Sequence, residues 1–304
     1  MTIHVISVGK SILDFLKDPY SKVEEGLAGR IEEAAAEVLD LAEKPVSEEV
    51  SETLENWLGD EISSELAELI EQLAPAHWPA SVSAELDTFD KATRLRARLT
   101  TGNTAVLVTS DTAQGLVSAL WNALALTGGD AKRVRYLPTL PESFRKLRGT
   151  AMIARVPRLD ARNADDFRAA MGYLGELGRG LLTSVLRKGG DENIRFYLSG
   201  GFKATIPYLI GLAEGMRSRT RAEVTACVLH EATDAVIELP LRRIDEGVIF
   251  GELLLFAKGN VINRKPPTNI LEGYAYERVD DECWELTAFG AGIKALYGFP
   301  EEGQ

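Results

Sequence analysis

The sequence predicts an α/β fold, a mostly parallel sheet with helices on both faces. Three observations predict it. Short apolar-rich runs recur at residues 3–8, 104–109, 134–137, 194–198 and 222–229, and such runs suit strands buried on both faces. Between several of them lie stretches with apolar residues three and four apart, at 113–126, 164–188 and 206–216, which is the helical period. Strands alternating with helices imply right-handed crossovers and parallel pairing. The third observation is the junction Ser199-Gly200-Gly201-Phe202-Lys203-Ala204-Thr205, which joins strand 194–198 to a helix with Pro207 in its first turn.

The elements follow in order. Residues 3–8 form the first strand, and Ser11 to Leu16 opens a helix. Residues 22–43 and 47–73 read as two acidic amphipathic helices, either simply solvated or a partner-binding insertion. Ala74 to Pro79 is a break, and Ser83 to Arg98 is a helix with Ser83 as its N-cap. Strand 104–109, Ser110-Asp111-Thr112 and helix 113–126 come next, then strand 134–137 and the long helix 164–188. After the Gly-Gly junction, Ala222 to Leu229 and Ala235 to Leu239 are strands. The pattern changes near Asp245: a helix at 248–257, strand-like runs 273–279 and 283–287 around the hairpin tip Asp280-Asp281, and a closing helix at 288–297. Helix, hairpin and helix fit a small winged-helix-like unit. The expected division is therefore residues 1–245, with an acidic helical insertion at about 20–80, and residues 246–304.

Bulk properties narrow the function classes. The chain has 304 residues, 45% hydrophobic and 26% charged, which suits a globular protein. It has no apolar run of about 18 residues, so no membrane partner is expected. Its start, Met1-Thr2-Ile3-His4-Val5, lacks the basic prefix of a secretory signal. Two cysteines, Cys227 and Cys283, make neither a disulfide framework nor a four-ligand zinc site, and a reducing cytoplasm fits best. A net charge of −12 disfavours a broad nucleic-acid surface. The acidity concentrates between Glu24 and Glu71, whereas Arg133 to Arg195 is rich in basic residues, so a local pocket can still be positive.

Candidate chemistry gathers at three strand-to-helix junctions. Ligands on open α/β sheets sit beyond the carboxyl ends of the strands. At Val8-Gly9-Lys10-Ser11, Gly9 permits a tight turn, and Ser11 either caps the helix or bonds a phosphate. The upstream glycine of a P-loop is missing, which speaks against an NTPase. At Ser110-Asp111-Thr112-Ala113-Gln114-Gly115, Asp111 either caps the helix or reaches a ribose or base edge. At Ser199–Thr205, a strand, a Gly-Gly bend and a helix start direct free N–H groups at an anion, and Lys203 adds a positive charge. His4, His77 and His230 show no metal-ligand spacing, and His4 and His230 read as strand core residues. No nucleophile elbow and no Arg-x4-His pair is present.

Gly9-Lys10-Ser11, Ser83-Ala84-Glu85-Leu86, Ser110-Asp111-Thr112 and Ser199-Gly200-Gly201-Phe202-Lys203 together resemble CARF domains, the Rossmann-like sensors of type III CRISPR systems. The resemblance covers about residues 1–245, and the tail with Gly273-Tyr274 and Trp284–Gly290 is similar to the winged-helix element often joined to such domains. It implies a homodimer that binds a cyclic oligoadenylate, most often cyclic tetra-adenylate, across its two-fold axis. The implied ligand-binding residues are Gly9, Lys10, Ser11, Ser110, Asp111, Thr112, Gln114, Ser199, Gly200, Gly201, Phe202 and Lys203. With no effector nuclease signature in the chain, the resemblance points to a ring nuclease that needs neither metal nor cofactor, with Ser11 and Lys203 catalytic. A ribose 2′-OH would attack the adjacent phosphorus, leaving a 2′,3′-cyclic phosphate. The alternatives are a ligand-responsive transcription regulator and a sensor docking a separate effector. DNA binding by the tail is not favoured, because only Lys258, Arg264, Lys265, Arg278 and Lys294 are basic there.

Overall fold

A computed structural model describes residues 1–17, 78–159, 164–186, 192–201, 203–230 and 235–299. The expected acidic helices at 22–43 and 47–73 lie outside these residues, as do His77 and Phe202. Seven strands form one sheet: β1 (Thr2–Ser7), β2 (Thr104–Thr109), β3 (Val134–Tyr136), β4 (Ala151–Arg155), β5 (Asn193–Tyr197), β6 (Val224–His230) and β7 (Ala235–Leu239). Their order is β3-β4-β2-β1-β5-β6-β7. Every pairing is parallel except β6 with β7. The predicted α/β class with a mostly parallel sheet is thus observed.

The pleat explains why the central strands are apolar on both sides. Ile3, Val5, Val106, Val108, Met152, Ala154 and Phe196 face one core. Ile6, Ala105, Leu107, Ala151, Ile153 and Tyr197 face the other. Helices α1 (Ser11–Lys17), α2 (Ala84–Thr93) and α3 (Ala113–Thr127) cover the second face through Ile12, Phe89 and Trp121. Helices α4 (Ala164–Val185) and α5 (Ile206–Arg219) cover the first through Leu174, Leu181 and Met216. From β1 the chain goes to β2 on one side and later to β5 on the other, so the order reverses at the β1/β5 pair.

Two expectations need correction. Ser83 does cap α2, its hydroxyl accepting from Leu86 N at 3.1 Å, but the helix stops at Thr93 rather than Arg98. Arg94, Arg96 and Ala97 take left-handed backbone angles there, and Asp90 Oδ1 accepts from Ala97 N to hold the turn. Strand β4 was not anticipated: Ala151-Met152-Ile153-Ala154 is too short to tell from a buried helix turn by pattern alone.

The C-terminal segment holds α6 (Glu246–Leu253), a small antiparallel sheet in the order β8-β10-β9, and α7 (Ala288–Tyr297). The small strands are β8 (Val261–Ile262), β9 (Tyr276–Arg278) and β10 (Trp284–Leu286). Helix α7 lies close against α4: a Cβ on Gly178 would come within 2.9 Å of Leu296, and one on Gly292 within 2.9 Å of the Met171 carbonyl. Tyr276, Trp284, Ile293 and Leu296 share the core that covers the first sheet face.

Candidate functional site

Ser7 ends β1 by donating its hydroxyl to the carbonyls of Tyr197 (3.1 Å) and Gly200 (2.7 Å). This stitches the loop after β1 to the loop after β5 at the carboxyl edge of the sheet. The two loops then run in near contact. A Cβ on Gly9 would lie 2.7 Å from Gly201 N, which no side chain tolerates. Gly201 itself has φ +93°, a conformation that favours glycine. The β1/β5 junction is the topological switch point of the sheet, where ligands of doubly wound folds bind.

Glu85, which sequence reasoning left outside the site residues, lies at the centre of this junction. It is only 2% exposed and sits in the first turn of α2. Its Oε1 accepts from Gly9 N at 2.5 Å, and its Oε2 accepts from Ser11 Oγ at 2.8 Å. Ser11 Oγ in turn accepts from Ala84 N at 3.1 Å. The signal available in sequence was the Ser83-Ala84-Glu85 helix start. An acidic residue in a first turn ordinarily faces water and complements the helix dipole, so its burial could not be read from it.

Gly200 abuts the same carboxylate. A Cβ there would meet the Glu85 side chain and come 2.8 Å from the Ser7 carbonyl. Gly200→Ala is therefore expected to destabilise the protein by about 1–3 kcal/mol, as overpacking does. Urea unfolding of the variant beside the wild type checks this, and an unchanged midpoint would contradict it.

Lys203 opens the short 3₁₀ turn Lys203–Thr205 that leads into α5, and its side chain is exposed. Lys10 is exposed on the facing loop. Ser199 turns the other way: its Oγ accepts from Leu229 N at 2.8 Å, which ties the loop to β6.

The third junction, after β2, flanks β1 on its other side. Thr112, not Asp111, caps α3, accepting from Gly115 N at 3.0 Å and lying 2.9 Å from Ser110 Oγ. Asp111 instead pairs with Arg155 Nη1 at 3.1 Å and accepts from Arg158 N at 2.7 Å. It thereby anchors the turn after β4, where Arg158 has φ +63°. Gln114 is exposed on the first turn of α3.

His4 belongs to the core, as expected. Burial, and then the nearby Arg195 charge, push it down to about 3, so it is neutral. It pairs with Tyr197 Oη at 2.8 Å and packs edge-on to Phe89. His230 differs from expectation: it ends β6 and is exposed.

The junction thus offers two exposed ammonium groups, two loops held in close contact through glycine, and a serine hydroxyl oriented by a buried carboxylate. Such a set suits an anionic ligand that also carries hydroxyl groups. Neither a scan against protein-family models nor a search of curated proteins finds a match for the chain. Among the described residues, no helix is long and apolar enough to cross a membrane.

Proposed function

We propose that the chain binds a cyclic oligoadenylate, most often cyclic tetra-adenylate, as a homodimer, and opens the ring without a metal ion. In this reading it is a CARF-type ring nuclease that ends type III CRISPR signalling. Residues 246–304 are its winged-helix-like unit and about 20–80 its acidic helical insertion. The observation that carries the reading is the close approach of Gly9 to Gly200 and Gly201, which brings the loops bearing Ser11 and Lys203 together at the switch point of a parallel sheet.

The chemistry is an in-line displacement. The ribose 2′-oxygen bonds to the neighbouring phosphorus as the bond from phosphorus to the 5′-oxygen breaks. The 2′ proton passes to solvent, and the leaving 5′-oxygen takes one from solvent. The pocket contributes by holding 2′-oxygen, phosphorus and 5′-oxygen in line. Lys203 offsets charge that grows on the phosphoryl oxygens. Gln114 borders the ligand, and the backbone N–H groups of Gly200 and Gly201 supplement the lysine.

The test is incubation of excess protein with cyclic tetra-adenylate in EDTA, read by mass. Two such cuts, one on each side of the two-fold axis, are expected to give linear di-adenylate with a 2′,3′-cyclic phosphate end. Bound but intact ligand would leave a sensor rather than a nuclease. Absence of binding would sink the whole reading.

A further inference from the structure

We propose that Glu85 is a positioning residue: it commits the Ser11 proton, so that Ser11 receives a hydrogen bond from a ribose hydroxyl of the ligand and does not donate one to phosphate. This rests on the function proposed above and assigns one contact within it.

A serine hydroxyl has one proton to donate and two lone pairs to accept with. The Ser11 proton goes to Glu85 Oε2, which accepts it at 2.8 Å. One lone pair takes the Ala84 N–H. A single lone pair remains, on a half-buried residue at the mouth of the junction. It can meet a donor, and the donors that an oligoadenylate offers are its ribose hydroxyls and its adenine amines. A phosphate oxygen is an acceptor and would face that lone pair unfavourably. The ribose follows the phosphates along the ring, so a hydroxyl is the donor that lies beside the backbone these loops approach.

Glu85 is held in place for this task. It is buried, its other oxygen is engaged by Gly9 N, and Gly200 leaves room for it. Swinging it away would leave the Gly9 N–H unpaired. The carboxylate also takes that N–H away from any phosphate. Anion binding therefore falls to the β5 loop and the lysines.

The experiment is titration calorimetry with cyclic tetra-adenylate and its fully 2′-deoxy counterpart, completed before turnover. Wild-type protein is expected to bind the ribose ring about 100-fold more tightly, about 10-fold for each of the two Ser11 hydroxyls that a dimer presents to one ring. Ser11→Ala should erase that preference by weakening the ribose ring far more than the deoxy ring, and Ser11→Thr should restore it. Glu85→Gln, checked by thermal melting, should shrink the preference to about two- or three-fold for each hydroxyl, because the Ser11 proton is then free to turn. In the Ser11→Ala background the same change should have no further effect on the ratio. Equal weakening of both rings by Ser11→Ala would overturn the proposal, since Ser11 would then hold phosphate. An unchanged ratio in folded Glu85→Gln would also overturn it. Should Glu85→Gln not fold, the two Ser11 variants decide. Failure of wild-type protein to bind either ring refutes the proposed function itself.

Discussion

Lys203→Ala is expected to slow ring opening by about 10²–10³-fold, the usual cost of removing one charge-stabilising donor from a reacting phosphoryl or acyl centre. The side chain is exposed at the start of a 3₁₀ turn. Its removal therefore exposes no core and leaves Gly200, Gly201 and Ser7 in place. The melting temperature should consequently stay the same while the rate collapses. Lys203→Arg should recover part of the rate, since it keeps the charge but not the point geometry of an ammonium. Single-turnover cleavage, read by mass over hours, measures all three. A Lys203→Ala protein that cuts at the wild-type rate would remove this residue from the chemistry.

Glu252→Ala is expected to cost about 3–5 kcal/mol of stability, because it strands several buried donors at about 1–3 kcal/mol each and opens a void. Glu252 is fully buried at the end of α6. Its carboxylate accepts from Thr268 Oγ1, from Ile270 N (3.0 Å), from Leu271 N (2.9 Å) and from Tyr276 Oη (2.8 Å). Alanine would leave these donors unpaired around a void. Burial alone raises the carboxyl's pKa, but the bonds from Thr268, Leu271 N, Tyr276 and Ile270 N outweigh it and hold the group below the usual carboxylate value of 4.5. A depressed folded value adds stability that is fully present above the unfolded value. That stability is lost as the pH falls through the folded one. Glu214 behaves alike: burial raises it, but the fork of Arg242 and the Tyr274 hydroxyl lower it further. Wild-type stability should therefore decline as the pH drops below about 4.5. Denaturant unfolding at a series of pH values checks this, and Glu252→Gln should flatten part of the decline. An acid limb with the same slope in both proteins would contradict this account.

Parts of this fold were legible because local chemistry sufficed to specify them. Strand 104–109 and helix 288–297 emerge with the expected bounds. The first is an unbroken apolar run, and the second has Thr287 to cap it, with Gly298 at φ +67° to end it. The end of α2 was not legible. Leu95 and Leu99 continue a helical period, but Asp90 captures Ala97 N and the backbone turns left-handed. The site divided in the same way. Gly9, Ser11, Gly200, Gly201 and Lys203 were visible as junction residues, because glycine and helix-start chemistry mark such turns in any chain. Asp111 looked like a cap or a ligand group and is an anchor for Arg155 and Arg158, whose nearness depends on β2 pairing with β4.

The sequence by itself determined the alternation of strands and helices, and with it the parallel sheet, since periodicity and crossover handedness are local or near-local properties. Only the tertiary structure decided which loops meet. Residues 9 and 201 stand nearly two hundred positions apart, and the pairing of β1 with β5 brings them together. Only the tertiary structure placed Glu85 between them. A carboxylate's partners are set by what surrounds it in space, and nothing in the order of residues records that Gly9 N and Ser11 Oγ would be the groups to satisfy it.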